Sequence, residues 1–342
     1  MTTIYLIRHA EAEGNLYRIA HGHYNGLITA RGYRQIRALE HRFAHIHIDA
    51  VYSSDLFRTC ATAKAVYLPK GLPLHTDPKL REVNMGIWEG RTWQQLRMED
   101  EEGIVNFNRH LDRWQVPGGE TAQQVIDRVL PALKKIAGDN EGKTVAVFTH
   151  GAALRIVLGT LKGMALVELG RTPHGDNTAI SLLEYDADGF TVLYRYDNHH
   201  LIDAGLSTFA KQKWWQDARM LENDFYYCPM TDAERETMGM DNGGEGIAVY
   251  HDGALAGGVQ LLPDKEPGVG WIGWYGLLPP WRGLNRGIGP LGQAVQYYRA
   301  KGVEHIRLQC PDEKTEGFFA HYGFEKKPEG WMELYIGYGE EA

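Results

Sequence analysis

The sequence predicts an α/β chain of two domains, on three observations. Its 342 residues exceed what one hydrophobic core of ordinary size holds. Over residues 1–202, short apolar runs typical of buried strands are separated by helical patterns, which indicates a mostly parallel sheet covered by helices. Over residues 203–342 the strand patterns begin as a hairpin, so a different fold is expected there. We place the boundary near residue 203, before apolar residues at helical spacing: Leu206, Ala210, Trp214, Ala218 and Leu221.

Charge is spread unevenly along the chain. Residues 1–202 hold 23 basic and 23 acidic side chains, whereas residues 203–342 hold 13 and 21, so the net charge of −8 comes from the second part. Binding to nucleic acid needs clustered Lys and Arg, which argues against such a partner. The neutral first part can still carry a local basic pocket, because an anion site needs only a few cations.

The sequence has neither a membrane-spanning pattern nor a cysteine pattern for metal. No apolar run approaches the roughly 20 residues that span a bilayer, and residues 1–3 lack the basic region of a signal peptide. We therefore expect a cytosolic protein with no membrane partner. The cysteines Cys60, Cys228 and Cys310 are widely spaced and odd in number, which favours neither disulfides nor a zinc cluster.

Two apolar runs each end in a histidine. Residues 3–7 form a predicted buried strand, after which Arg8 and His9 emerge. Residues 144–148 form another, followed by His150, a glycine and a helix. Ligands bind at the carboxyl edge of such sheets. If the two strands are parallel neighbours, His9 and His150 converge at that edge.

The segments between these strands predict further helices and a strand. Thr29 can cap a helix whose apolar residues fall three or four apart: Tyr33, Ile36, Leu39 and Phe43. Residues 49–54 form a strand, and a helix over residues 55–66 carries Arg58 in its first turn. Because a helix start favours anions, Arg58 adds a guanidinium fork to a natural anion site.

Three later segments complete the predicted first domain. Residues 79–90 supply two carboxylates, Glu82 and Glu89, near a tryptophan and two glycines. Residues 117–120 form a turn before a helix that runs to about residue 137. Residues 176–196 form a hairpin with a turn at an Asp-Gly pair.

Two histidines, two arginines and a glutamate in one pocket suit phosphoryl transfer through a phosphohistidine. A neutral imidazole nitrogen is a competent nucleophile. Cations and N–H donors stabilise the oxygens of the transferring group. A carboxylic acid can protonate the leaving oxygen.

Residues 1–202 resemble the histidine phosphatase superfamily, which includes the cofactor-dependent phosphoglycerate mutases. Five blocks carry the resemblance, in the family's order: LIRHAE at residues 6–11 with Asn15, LITARG at 27–32, YSSDLFRT at 52–59, LRE through GIWEG at 80–90, and FTHG at 148–151. The resemblance implies a three-layer α/β/α, phosphoglycerate mutase-like domain.

The resemblance also implies roles for individual residues. His9 would be the nucleophile, and Glu82 would be the proton donor. The phosphate pocket would be formed by Arg8, Arg58 and His150, with Asn15 and Gly151 beside it. No metal is expected.

His21 and His23 have two open interpretations. They lie in the loop that borders the substrate in this family, so they are candidate substrate contacts. The alternative is that both are exposed polar side chains. Metal binding by the pair is not favoured, because no carboxylate or cysteine follows at ligand spacing.

The reaction has two open interpretations as well. The compact first part and the Trp88-Glu89-Gly90 block resemble the broad phosphatase branch, which favours hydrolysis of a small phosphomonoester. The alternative is a phosphomutase, which needs a phosphorylated cofactor to load His9.

The second part predicts a hairpin, a third strand and a glycine-rich loop before a helix. The hairpin covers residues 246–261, the third strand 269–278, and the loop 280–289. Leu291, Ala294, Val295 and Tyr298 then recur at helical spacing. Because a strand, a Gly/Arg loop and a helix start can cradle a pyrophosphate, this segment is a candidate nucleotide site.

Residues 246–336 resemble the GCN5-related acetyltransferases, on the order of strand, Arg/Gly loop, helix, strand 306–309 and the block GFFAHYGF at 317–324. The resemblance implies an α+β domain with a mixed sheet that takes acetyl-coenzyme A and an amine acceptor. The backbone N–H groups of Arg286, Gly287, Ile288 and Gly289 would hold the pyrophosphate.

Two positions depart from the acetyltransferase pattern. Leu284 stands where the loop usually has Arg or Gln, and Phe319 stands where a tyrosine usually protonates the thiolate. Phenylalanine cannot donate a proton. Either Tyr322 or a water does that work, or the domain senses acetyl-coenzyme A and regulates the phosphatase without efficient transfer.

Overall fold

A computed structural model of the chain describes residues 1–211, 225–283 and 287–338. The chain divides into two compact units. The boundary near residue 203 stays a prediction, and the part of the helical stripe at Trp214, Ala218 and Leu221 lies outside the described residues. Among the helices that are described, none has the length and apolar character needed to cross a bilayer.

The first unit contains a six-stranded sheet. Its strands are β1 (Thr2–Arg8), β2 (Ala50–Ser53), β3 (Leu74–Thr76), β4 (Thr144–Thr149), β5 (Ile180–Asp186) and β6 (Gly189–Asp197). Their order is β3-β2-β4-β1-β5-β6. The pairs β3-β2, β2-β4 and β4-β1 are parallel, and β5 is antiparallel to both of its neighbours. The mostly parallel sheet predicted from the sequence is confirmed.

Ten α-helices are described before the second sheet. They are α1 (Glu13–Leu16), α2 (Ala30–Phe43), α3 (Phe57–Lys70), α4 (Trp93–Glu99), α5 (Glu101–Arg109), α6 (Ala122–Asp139), α7 (Gly151–Leu161), α8 (Leu166–Leu169), α9 (His199–Asp203) and α10 (Thr208–Lys211). The Thr29 hydroxyl accepts from the Gly32 N–H at 3.0 Å, so α2 begins at the predicted cap. Short 3₁₀ turns lie at Pro78–Leu80 and Gly86–Trp88.

The helices cover the sheet in layers. One core cluster joins α2 and α3 to the strands and includes Ile7, Leu39, Phe43, Val51, Val66 and Phe148. Alternate residues of β1 point away from this cluster, and α6 packs on β1 and against α7. The resulting α/β/α arrangement buries β1 and β4 on both sides, which explains why their sequences are continuous apolar runs.

The second unit contains a seven-stranded mixed sheet. Its strands are β7 (Tyr226–Pro229), β8 (Glu245–His251), β9 (Ala254–Glu266), β10 (Val269–Leu277), β11 (His305–Leu308), β12 (Glu325–Lys326) and β13 (Met332–Tyr335), in the order β12-β13-β11-β10-β9-β8-β7. Its helices are α11 (Asp232–Met238), α12 (Ile288–Ala300) and α13 (Glu313–His321). Only β10-β11 is parallel among the described pairs. The predicted hairpin and helix are confirmed, whereas β7 and α11 were not anticipated.

The core of the first unit makes a specific stability prediction. Phe43 is fully buried and packs edge to face on Tyr5, with ring centroids 5.3 Å apart. We expect Phe43→Ala to lower the free energy of unfolding by about 3–5 kcal/mol, because it removes this packing and leaves a cavity. Urea denaturation of the full chain, followed by circular dichroism, measures the change.

Met98→Ala is the matched control, since this large side chain is 56% exposed. We expect it to change the free energy of unfolding by about 0.5 kcal/mol or less. Equal effects of the two substitutions would contradict the assigned core.

Candidate active site

The register of β1 against β4 brings the two predicted histidines together. Arg8 pairs with Thr149, and the His9 N–H donates to the Thr149 carbonyl at 3.0 Å. His9 and His150 therefore leave neighbouring parallel strands at the same edge. Their ring centroids lie 5.2 Å apart, and both side chains are buried. The convergence expected from the sequence is confirmed.

His9 is held as a neutral imidazole in one tautomer. Its Nδ1 lies 2.7 Å from the Ala10 carbonyl oxygen, which can only accept, so Nδ1 carries the proton. Burial, together with the charges of Arg58 and Arg8, lowers the pKa of His9 well below 6.5. The other nitrogen, Nε2, is thus left with a free lone pair, which is the state a nucleophile requires.

Arg58 connects His150 to the loop before α2. Its Nε donates to Nδ1 of His150 at 3.2 Å, and its Nη groups donate to the carbonyls of Gly22 and Tyr24 at 2.7 and 2.8 Å. Burial lowers the pKa of Arg58 to about 10, so it remains charged at neutral pH. Because His150 accepts at Nδ1, its Nε2 carries the proton and donates to the Ser54 hydroxyl at 2.9 Å.

Arg8 approaches the start of α7 and the loop before β5. Its Nη1 donates to the Gly175 carbonyl at 2.6 Å, while its buried Nε has no partner among the described residues. A Cβ at position 151 would lie 3.1 Å from that Nε, so Gly151 permits the close approach. Within the described ranges, neither Arg8 nor Arg58 forms an ion pair with a carboxylate. Their charges are therefore available to an anion.

Backbone amides position the Glu82 carboxylate at the start of α7. One oxygen accepts from the N–H groups of Val83 and Ala153 at 3.0 and 2.7 Å, and the other accepts from Ala152 at 3.0 Å. The main chain of Glu82 is held in turn by Arg128, whose Nη2 donates to its carbonyl at 2.7 Å. The Glu82 carboxylate is thus fixed against the first turn of α7, which directly follows His150.

The structure separates the two loop histidines. The His21 ring packs edge to face on His9, with centroids 5.8 Å apart, and its buried Nδ1 has no partner among the described residues. Burial, Arg58 and Arg8 lower the pKa of His21 well below 6.5. His23 instead donates from Nε2 to the Glu82 carbonyl at 2.9 Å. His21 therefore lies in the pocket, whereas His23 helps to hold the Glu82 main chain that forms its wall.

Two further predicted positions are located less fully. Asn15 lies in the short helix α1, and its part in the site rests on the resemblance alone. Arg286 of the proposed pyrophosphate loop falls outside the described residues. Groups of three or more His, Cys, Asp or Glu that could hold a metal do not occur within residues 1–211, 225–283 and 287–338.

The glycine-rich loop of the second unit leads directly into α12. Gly287 precedes the helix, which starts at Ile288, and no side chain among the described residues caps its first turn. A Cβ at position 289 would lie 2.2 Å from the Tyr227 hydroxyl oxygen, so a side chain there would have to displace that hydroxyl. The Tyr275 hydroxyl donates to the Gly287 carbonyl.

Phe319 is a core residue of the second unit. It is 1% exposed, and its ring lies 5.1 Å from the rings of both Tyr275 and Phe324. The pairing of β10 with β11 stops at Ile272 and Leu308, so these aromatics pack where the two strands part. Tyr322 caps the end of α13 against Phe318, with ring centroids 5.1 Å apart.

Comparison with protein families decides the relationship of the first unit. A model of the histidine phosphatase superfamily (branch 1) matches residues 4–198. The chain belongs to this superfamily. A model of the acetyltransferase (GNAT) family matches residues 211–324, so the histidine phosphatase domain is fused to a GNAT domain.

Individual relatives cover the histidine phosphatase domain. The chain is 31% identical over 212 residues to a protein named probable phosphoglycerate mutase GpmB from Proteus mirabilis, which covers 60% of this chain and 98% of the relative. The solved structure of Bacillus stearothermophilus YhfR is 30% identical, with a TM-score of 0.57 over 59% of this chain and 100% of that chain. The alpha-ribazole phosphatase from Shigella flexneri is 25% identical, with a TM-score of 0.52 over 57% and 96%.

The sequence analysis did not identify several polar groups at the sheet edge that carries His9 and His150. Ser54 accepts from His150, and the Asn177 side chain donates to the His9 carbonyl at 3.1 Å. The Thr178 N–H donates to the same carbonyl at 3.3 Å. A signal was present for both segments, since Ser54 directly follows β2 and residues 176–178 lie just before β5, and both strands border the central pair.

The protonation of His200 makes the free energy of unfolding of the histidine phosphatase domain depend on pH. His200 lies 2.9 Å from the Thr178 hydroxyl, and burial lowers its pKa to about 4. An unfolded histidine titrates near 6.5, so between these values the unfolded chain binds the additional proton. Stability from neutral His200 is therefore present above about pH 6.5 and is lost as pH falls toward 4, by up to about 1.4 kcal/mol per pH unit.

We expect His200→Gln to flatten the decline in unfolding free energy between pH 6.5 and 4.5 by about one proton's slope. Urea unfolding at several pH values measures it. His45→Gln, at an exposed position, is the control and should retain the wild-type slope. An unchanged slope in His200→Gln would show that the histidine is not neutral when folded.

Proposed function

We propose that the first domain hydrolyses a small phosphomonoester through a phosphohistidine on His9. The observation that supports this most is the state of that ring. It is neutral, its Nδ1–H is engaged by the Ala10 carbonyl, and its Nε2 keeps the lone pair. The two arginines whose charges act on the ring, Arg8 and Arg58, lack carboxylate partners among the described residues. A nucleophile and guanidinium groups that no carboxylate pairs with directly are what transfer of a phosphoryl dianion needs.

Each step can be assigned to a residue of the pocket. Nε2 of His9 attacks phosphorus, the P–O bond to the leaving group breaks, and Glu82 passes a proton to the departing oxygen. Water then attacks phosphorus, Glu82 takes up a proton from it, and the N–P bond breaks to release inorganic phosphate. Arg8 and Arg58 stabilise the charge on the transferring oxygens, and His150 helps to orient Arg58, whose Nε donates to its Nδ1. His21, Asn15 and Gly151 border the substrate, His23 supports the pocket wall, and the chemistry requires no metal.

A phosphomutase is the second candidate. It is favoured by the relatives at 31% identity whose name includes phosphoglycerate mutase. The same His9 intermediate serves both reactions, and only the acceptor differs: water in hydrolysis, a substrate hydroxyl in the mutase. Hydrolysis is favoured by the compact domain and by the 25% identical relative named as an alpha-ribazole phosphatase.

We propose that the GNAT domain binds acetyl-coenzyme A through the loop before α12. Gly287, Ile288 and Gly289 supply amides at the start of this 13-residue helix, and the negative pyrophosphate is attracted by the helix dipole. Phe319, buried among aromatic rings, cannot act as an acid. Transfer to an amine would therefore use Tyr322 or a water, which makes the chain bifunctional. Regulation of the phosphatase by acetyl-coenzyme A is the alternative.

The nucleophile assignment makes a direct prediction. His9→Ala should abolish release of inorganic phosphate from p-nitrophenyl phosphate, because it removes the nitrogen that attacks phosphorus, and wild-type activity should persist in EDTA. The exposed His45→Gln is the control and should retain turnover. Full activity in His9→Ala would refute the assignment. Transfer of labelled phosphate to a second sugar phosphate, without release, would favour the mutase.

Acetyl-coenzyme A should raise the melting temperature of the full chain, with a shift that grows with the logarithm of ligand concentration. S-Acetyl-N-acetylcysteamine, which carries the thioester of the acyl end but no pyrophosphate, is the control and should give no shift. A flat response at millimolar acetyl-coenzyme A would show that the loop is only structural. Release of the coenzyme A thiol is then measured with a panel of amines: release indicates acetyl transfer, and its absence indicates sensing. A lower rate of release in Tyr322→Phe would identify Tyr322 as the proton donor.

A further inference from the structure

The peptide group between Ala10 and Glu11 determines the tautomer of His9. Its carbonyl, on Ala10, is the acceptor that lies 2.7 Å from Nδ1 of the ring. Because a peptide group is planar and trans, the N–H of Glu11 points in the direction opposite to that carbonyl. A partner that binds this N–H therefore fixes the plane of the peptide group and, with it, the direction in which the carbonyl meets His9.

Gln35 of α2 is the partner of this N–H. Its side-chain oxygen accepts from the Glu11 N–H at 2.7 Å, and the residue is 0% exposed, so bulk water does not compete for the bond. The N–H can only donate, so the oxygen of the Gln35 amide has to face it and the nitrogen has to face away. The orientation of one buried amide is thus a condition for the tautomer of His9.

The other end of the Gln35 amide is held by residues 206–208, which we name the exit segment. Nε2 of Gln35 donates to the Leu206 carbonyl and to the Thr208 hydroxyl, each at 2.9 Å. A carbonyl can only accept, so the exit segment enforces the same orientation of the amide that the Glu11 N–H requires. The amide cannot turn over without losing its hydrogen bonds at both ends, which is costly for a buried polar group.

Two buried hydroxyls anchor the exit segment beside the nucleophile. The Thr208 hydroxyl donates to the Glu11 carboxylate at 3.3 Å, and the Ser207 hydroxyl donates to the Asp176 carboxylate at 2.6 Å. Glu11 lies two residues after His9. Asp176 belongs to the loop before β5, which supplies the donors to the His9 carbonyl. The exit segment is therefore bound to the two loops that flank the nucleophile.

The exit segment belongs to the first unit, although it lies beyond residues 4–198, which match the histidine phosphatase family. The match to the acetyltransferase family begins at residue 211. The chain thus leaves the first unit through residues whose hydrogen bonds reach the loop of the nucleophile.

We propose that Gln35 is a positioning residue that holds His9 in its reactive tautomer, and that the exit segment sets the orientation of Gln35. This rests on the proposed hydrolysis, because the tautomer matters only to a reaction in which His9 attacks. When the peptide group is not anchored, the Ala10 carbonyl can turn away from Nδ1, and the ring can carry its proton on Nε2 instead. That nitrogen then has no lone pair with which to attack phosphorus.

15N NMR of the full chain with labelled histidine tests the positioning role, because the ring nitrogens of a neutral imidazole give different signals in the two tautomers. The signals of His9 are those that disappear in His9→Ala. We expect the proton on Nδ1 in the wild type and largely on Nε2 in Gln35→Leu. For p-nitrophenyl phosphate, kcat of this variant should fall about tenfold or more with KM nearly unchanged, because a wrong tautomer disables the nucleophile and leaves Arg8 and Arg58 in place.

Gln35→Glu separates positioning from packing. A carboxylate has oxygens at both ends, so it accepts from the Glu11 N–H without having to be oriented. We therefore expect this variant to keep more of the wild-type tautomer and kcat than Gln35→Leu. A role in packing alone predicts the reverse order, since leucine suits a buried position better than a carboxylate does. Gln123→Leu, at an exposed position on α6, is the control and should leave the tautomer and kcat unchanged.

The exit segment is tested by the double variant Ser207→Ala, Thr208→Val, in which Gln35 itself is intact. We expect the tautomer to change in the same direction as in Gln35→Leu, and an unchanged spectrum would show that the exit segment does not orient the amide. Circular dichroism checks that each variant is folded. An unchanged tautomer in Gln35→Leu would overturn the positioning role even if kcat falls. The spectra need no turnover, so the change of tautomer in a chain that hydrolyses nothing would uphold the positioning role and refute the proposed hydrolysis.

Discussion

The parallel pairing of β1 with β4 is the constraint on which the first domain depends. One register places Arg8 opposite Thr149 and so delivers two histidines to the same edge. A shift by one residue would turn every side chain of β1 to the opposite face and would carry His9 out of the pocket. Both strands are buried by helices on either side, so the register is fixed by the packing of many apolar side chains. The packing of the core therefore fixes the positions of His9 and His150 relative to each other.

Positive charge in this pocket is stabilised by dipoles. Arg58 is held by carbonyl oxygens of the loop before α2, and Arg8 by the Gly175 carbonyl. A carboxylate partner would neutralise each guanidinium and compete with an anionic ligand, whereas carbonyls orient the group and leave its charge in place. This arrangement requires the surrounding fold to hold the loops that supply these carbonyls in position. Loops that look irregular in sequence, such as residues 21–24 and 170–175, are therefore part of the charge-bearing structure.

Much of this arrangement could be predicted from the sequence because it follows from periodicity. The strands that carry Arg8, His9 and His150 are continuous apolar runs, and the α2 cap at Thr29 is a local signal. The contacts of His21 could not be predicted, because the path of an aperiodic loop is set by partners distant in sequence, including Arg58. Ser54 and Asn177 lie beside strands that border the central pair, which was a signal, but their contacts with His150 and His9 join residues distant in sequence. Phe319 was noticed as a departure from a family pattern, and only the surrounding rings show that it serves packing.

The contact between Gly14 and His21 has an evolutionary consequence. A Cβ at position 14 would lie 1.9 Å from Nδ1 of His21, far inside van der Waals contact. An imidazole can rest on the nucleophile from position 21 only while position 14 has no side chain. The two positions must therefore change together: a lineage that acquires any larger residue at 14 has to give up histidine at 21 or move the ring away from His9. Comparison of positions 14 and 21 among relatives would separate proteins that keep three imidazoles in the pocket from proteins that keep two.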